Sequence, residues 1–247
     1  MFPIRDHNPS QSTPYVTNML IAINIAVYIY GLIALGNETA ISRYYYDYAM
    51  IPARLSAGEN YPSLVTSLFI HAGFMHLAAN MLFLWIFGDN MEEEMGAIPF
   101  LAFYLISGVG ADLAQFWSGP NSQVATVGAS GAIAGVMGGY LLMFPKAKVD
   151  ILVIFIIFFK VFPVPSWITL GLWFVIQLFG GVGADPNGGG VAYWAHAGGF
   201  IIGLIITLPL WIKRGAADYW TVTDGHPPHP DAKYKFQKSS IPAVKRR

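Results

Sequence analysis

The stretch 191-VAYWAHAGGFIIGLIITLPLWI-212 decides how the rest of the chain must be read. It runs for 22 residues without an Asp, Glu, Lys or Arg. About 20 mostly apolar residues suffice to cross a hydrocarbon core of roughly 30 Å. A soluble protein would have to wrap such a run in polar surface, and the remaining chain has too little. Of 247 residues, 55% are hydrophobic and only 11% charged, with a mean hydropathy of +0.49. Soluble domains carry about a quarter charged residues. A soluble globular enzyme is therefore excluded in favour of a polytopic membrane protein. Lys+Arg and Asp+Glu both number 14, so net charge points to no acidic or basic partner, and no nucleic acid is expected. With no cysteine there is no disulfide framework, thiolate nucleophile, iron–sulfur centre or Cys-type zinc site.

Working outward from 191–212, five further apolar segments complete an all-α helical bundle of six spans: 16–35, 73–87, 98–117, 128–144 and 167–182. Three of these are short, which a bundle tolerates because neighbouring helices cover the ends and the bilayer thins locally. Residues 151–162 are apolar too, but the run lasts only about a dozen residues before Pro163 and Pro165 and contains Lys160. It reads as an interfacial or loop segment. The chain thus divides into an N-terminal segment (1–15), a six-helix membrane domain (16–212) and a polar tail (213–247), the last expected as a mobile extension without apolar period. Glu92, Glu93 and Glu94 are expected in a solvated loop, and Tyr44, Tyr45, Tyr46 and Tyr48 in an interfacial aromatic belt. Six spans put both termini on the side of the second and fourth loops. That side then holds 12 of the 14 Lys and Arg, with only Arg43 and Arg54 opposite, so both termini are expected in the cytoplasm. No cleavable signal peptide is evident, and a prokaryotic inner membrane is the expected location.

Strongly polar groups inside a bilayer are costly, and each is a functional hypothesis. The candidates are His71, His76, Asn80, Asp112, Gln115, Ser130, Gln177 and His196. His76 and Asn80 are four apart and share one face of the second span. Ser130 is expected about three residues into the fourth span and His196 about five into the sixth. Both spans start outside, so the two lie some ~5–8 Å below the outer helix ends. Three helices place polar groups at a common depth. Glycines surround them: Gly128 and Gly131 flank the serine region, and Gly199 and Gly203 follow the histidine. Small residues four apart let helix backbones approach closely. Ser130 and His196 would then come within hydrogen-bond reach, the minimal activated nucleophile. An oxyanion formed by attack on an amide needs donors. The Ser130 backbone N–H, His76 and Asn80 can supply them.

These residues resemble the rhomboid family of intramembrane serine proteases. The resemblance rests on 71-HAGFMHLAAN-80, 128-GASG-131 and 195-AHAGG-199, and covers roughly residues 16–212. It implies a Ser130–His196 dyad without a third carboxylate and an oxyanion hole of His76, Asn80 and the Ser130 N–H. His71, Gly128, Gly131 and Gly199 would support the site. Substrates would be single transmembrane helices cut near the outer face, reached sideways from the lipid bilayer between the second and fifth spans; no cofactor is implied. Two positions depart from the family pattern. Pro62-Ser63 stands where many members carry Trp-Arg, and Ala134 where some place an aromatic against the imidazole.

Blander readings exist for each residue. His196 alone is as readily a structural histidine, and His76 with Asn80 alone is interhelical glue worth about 0.6 kcal/mol each. A zinc site from His71, His76 and His196 lacks a His-Glu-x-x-His motif or a flanking carboxylate. Asp112 reads as structural. An inactive relative that binds transmembrane clients and a transporter or channel are the rival functions. The absence of visible internal repeats weakens the transporter.

Overall fold

The computed structural model describes residues 2–155 and 158–232. The chain opens with strand β1 (Phe2–Asp6) and the first long helix α1 (Tyr15–Ala34). A loop of short helices follows: α2 (Glu38–Tyr48), α3 (Pro52–Ser56) and α4 (Ser63–Thr66), the last running into a 3₁₀ turn (Ser67–Phe69). Then come α5 (Phe74–Met95), α6 (Ala97–Ser118) and α7 (Ser130–Met143). Strands β2 (Lys148–Phe155) and β3 (Phe158–Pro165) precede α8 (Ser166–Gly183), α9 (Tyr193–Lys213) and α10 (Ala217–Thr223).

The protein is a helical membrane bundle. Among the described residues, α1, α6, α8 and α9 are each long and apolar enough to cross a membrane. The bent pair 63–69 and 74–95, which meets at 94°, makes a fifth when counted as one span. The sixth expected segment, α7, has only 14 residues. It does not need lipid-spanning length of its own, because it is the centre of the bundle. Every residue from Gly131 to Tyr140 is buried, as expected of a helix without a polar face. The outer helices turn large apolar side chains outward instead. Leu32, Ile33, Ile106, Leu172, Phe179 and Ile205 are all exposed, which only an apolar solvent favours.

Close backbone contact holds α7 against α9. A Cβ added at Gly199 would overlap the carbonyl oxygen of Gly131, and one added at Gly203 would overlap the backbone of Gly135. The expected glycine-to-glycine seam is thus the tightest contact in the core, where dispersion and close approach replace the hydrophobic effect.

Three sequence expectations require correction. Glu92, Glu93 and Glu94 are not a solvated loop but the last turn of α5. Buried Glu92 accepts from the backbone N–H groups of Val16 (2.9 Å) and Thr17 (2.8 Å) and from the Thr17 hydroxyl (2.8 Å). It caps α1, whose first N–H groups have no partner within the helix and sit at its positive end. Glu94 pairs with Arg214 at 2.7 Å. The second correction concerns residues 151–162, which lie in neither a loop nor a span. Apart from 156–157, outside the described residues, they belong to a hairpin of β2 and β3. The hairpin joins β1 in an antiparallel sheet of order β1-β2-β3. Alternating β-branched residues favour a strand, and Pro163 and Pro165 fall near the end of the outer strand, where no further ladder bond is required. Third, the tail is not without structure throughout. In α10 the Trp220 indole donates to the Leu142 carbonyl (2.9 Å) and packs at a tilt against Trp211 (4.8 Å between ring centroids). Ala232 N–H donates to the His7 carbonyl at 2.7 Å, joining the two terminal segments across one end of the bundle. Residues 233–247 of the expected mobile tail lie outside the described residues.

The first loop carries the four tyrosines on α2 and its end, with Tyr46 and Tyr48 exposed. Where the family pattern has Trp-Arg, other contacts hold this loop. Asn60 Nδ2 donates to the Asp47 carbonyl (3.0 Å), Thr66 Oγ1 to the Tyr48 carbonyl (2.7 Å), and Arg54 lies over the Tyr46 ring and donates to its carbonyl.

Candidate active site

Three helices begin at one place. Ser130 is the first residue of α7, His76 the third of α5 and His196 the fourth of α9. The serine lies slightly nearer its helix start than the sequence suggested, and the histidine likewise. The positive N-terminal ends of three helices therefore lie around one volume, a setting that favours developing negative charge.

The hydroxyl of Ser130 lies 2.8 Å from His196 Nε2. The other ring nitrogen, Nδ1, lies 2.9 Å from Gln177 Oε1 on α8. The indole of Trp173, one turn earlier on α8, covers the imidazole at 5.6 Å between centroids and 36°. This is the aromatic support that Ala134 cannot give, supplied from a different helix. Sequence reasoning singled out Gln177 as a polar residue in a span without giving it a role, and missed Trp173. Their i, i+4 spacing was the available signal, but nothing in sequence says which face of α8 meets His196.

Ser130, His196, His76, Asn80, Trp173 and Met137 line one cavity of about 610 Å³. Gly128 shows why the approach to Ser130 is built from small residues. Its φ is +121°, a conformation that L side chains rarely adopt, and an added Cβ would sit 2.7 Å from the His76 ring. The His76 imidazole is thus packed on the turn that presents the serine. Asn80 Nδ2 donates to the His76 carbonyl one turn back (2.8 Å), so its amide faces the cavity from a tethered position. His71 precedes α5, is buried and stands edge-on to His76 with ring centroids 5.1 Å apart. Gly131 and Gly199 form the α7–α9 contact directly beneath the serine and histidine.

Two polar residues of α6 act around the site. Buried Asp112 accepts from the Ser67 hydroxyl (2.6 Å), and the Ser67 carbonyl accepts from Gly128 N–H (2.9 Å), tying the serine turn to α6. Gln115 Oε1 accepts from Ala195 N–H (3.2 Å) in the first turn of α9. Among the described residues no three His, Cys, Asp or Glu side chains are grouped as metal ligands.

Chemically, an imidazole nitrogen bonded to a hydroxyl can take its proton as the oxygen attacks an electrophile. The fold and the site together define a polytopic helical membrane protein with such a pair held between two of its helices. A family model described as the Rhomboid domain matches residues 58–213, more than half of the sequence, and the chain belongs to the rhomboid family. It is 34% identical over 149 residues to the mitochondrial Rhomboid protein 1 of Saccharomyces cerevisiae, covering 58% of this chain and 40% of that one. With RHOMBOID-like protein 5 of Arabidopsis thaliana it shares 31% identity over 176 residues, 71% of this chain and 52% of the relative. Rhomboid protease AarA of Providencia stuartii is 28% identical over 209 residues, 78% and 71% of the two chains. The chain spans about half or less of the length of the first two relatives.

Proposed function

We propose that this chain is an intramembrane serine endopeptidase that cleaves transmembrane segments of other membrane proteins. The observation that carries the reading is the 2.8 Å contact between Ser130 Oγ and His196 Nε2 at the wall of a cavity of about 610 Å³. Its membership of a family that includes a protein named as a protease adds support.

His196 Nε2 takes the Ser130 proton as Oγ attacks the scissile carbonyl. The tetrahedral oxyanion is met by the Ser130 backbone N–H and by side-chain donors of His76 and Asn80, at the joint positive end of α5, α7 and α9. The imidazolium then protonates the leaving amine, leaving an acyl-enzyme on Ser130. Water, deprotonated by the same imidazole, hydrolyses it. The substrate class is a single-span membrane protein whose helix unwinds at the cavity, reached laterally from the lipid bilayer. Twelve of the 14 basic residues lie on the side of the termini when six spans are counted, which favours a cytoplasmic location of both ends and a cut near the opposite face. A prokaryotic inner membrane is the proposed location.

The test is Ser130→Ala in proteoliposomes with a fluorescent transmembrane substrate. Cleavage by the parent chain that the variant loses, with labelling of the parent by a fluorophosphonate, is the expected result. Unchanged cleavage by the variant, or a parent that binds the substrate without cutting it, removes the protease reading; the second outcome marks a client-binding relative.

A further inference from the structure

We infer that Gln177 is the positioning residue of the site: its side-chain carbonyl selects the imidazole tautomer of His196 that can act as a base. The inference deepens the protease reading and rests on it.

Among the described residues α8 faces outward along most of its length and buries only Ser166, Leu170, Gln177 and Gly181. Ser166 and Gly181 lie near its two ends. Within the span proper it therefore buries one apolar side chain and one amide. An amide removed from water is costly unless both of its ends are bonded, and the bonds of Gln177 are unequal in kind. Its Nε2 donates to the Trp173 carbonyl at 3.2 Å, within its own helix. That leaves Oε1 turned to His196 Nδ1 at 2.9 Å. Oε1 can only accept, so Nδ1 must carry the hydrogen, and Nε2 presents its lone pair to the Ser130 hydroxyl at 2.8 Å. The Trp173 ring, also from α8, packs beside the imidazole at 5.6 Å between centroids. Among the described residues the side-chain group bonded to Nδ1 is this amide oxygen and not a carboxylate. A neutral amide thus performs the orienting task that an aspartate performs in a Ser-His-Asp triad, without introducing a charge into an apolar bundle.

The experiment uses the full chain with a transmembrane reporter, after the parent is shown to cleave and Ser130→Ala not to; failure there refutes the protease reading and not this one alone. Gln177→Leu is expected to lower kcat roughly 10- to 100-fold with KM changed less than about threefold, because tautomer and orientation affect proton transfer and not binding. Gln177→Glu keeps the acceptor. It is expected to restore kcat to within about threefold of the parent at neutral pH and to move the acid limb of the rate profile to higher pH, since a carboxylate favours the imidazolium. A merely structural amide predicts equal losses in both variants and an unmoved profile, which would overturn the inference, as would parental kcat in Gln177→Leu. Where a variant does not fold, ¹⁵N spectra of the histidine-labelled parent decide. A His196 hydrogen on Nδ1 supports the assignment, and a hydrogen on Nε2 refutes it.

Discussion

Gly199→Ala tests whether the α7–α9 seam sets the chemistry. In the structure, a Cβ at this position would overlap the Gly131 carbonyl oxygen and lie 3.0 Å from its carbon and 3.2 Å from the Ala111 Cβ. Ordinary contact for a Cβ begins at 3.4 Å, and the two nearest atoms are Gly131 backbone, which cannot rotate away. The strain is relieved only by moving α9 off α7 by roughly 1 Å, at an overpacking cost of about 1–3 kcal/mol. Gly199 sits less than one turn below His196, and Gly131 directly follows Ser130, so the displacement is delivered at the site. The 2.8 Å contact between Ser130 Oγ and His196 Nε2 then opens beyond hydrogen-bond reach. A misplacement of this size costs on the order of 100-fold in rate. The assay compares kcat on the reconstituted transmembrane reporter with thermal unfolding of the same samples. Gly171→Ala on α8 is the control, because nothing lies within 4 Å of its added Cβ. It should retain full activity and gain up to about 1 kcal/mol from helix propensity. Parental kcat in folded Gly199→Ala would refute the claim that backbone contact at this seam positions the pair.

Two further outcomes follow from the end of the bundle that carries the termini. Glu92→Ala strips the α1 terminus of an acceptor for three donors and should destabilise the fold by about 3–5 kcal/mol, measured by denaturant unfolding, while kcat of the folded fraction stays unchanged; a loss below about 1 kcal/mol contradicts the cap. Burial, assisted by the neighbouring Asp89 carboxylate, pushes the Asp6 carboxyl up to about 7, against the opposing hydrogen bond from Tyr140. An acid that holds its proton more tightly when folded contributes its full stabilisation below its unfolded value near 3.8 and loses it as pH rises through about 7. Asp6→Asn should therefore gain in melting temperature over the parent from pH 5 to pH 8, and parallel curves across that range would show that Asp6 does not titrate there.

The membrane class and the apolar segments were determined by the sequence alone, because a run such as 191–212 has no other stable solvent. His76, Asn80, Ser130 and His196 were also legible as a set, since period and depth put them at one level before any packing was known. Other features depended on long-range contact. Glu92 looks like part of a charged loop until α1 is placed beside it, for its partners lie 75 and 76 residues away in sequence. The hairpin of β2 and β3 needed β1, contributed from the other end of the chain, to become a sheet. The support of His196 was the least legible of all. The resemblance implies that Ala134 leaves the imidazole uncovered, and the sequence shows a glutamine within a span, but periodicity specifies only that Trp173 and Gln177 share a face. Tertiary structure alone decided that this face meets the histidine, because the rotation of a helix about its axis is set by the neighbours against which it packs.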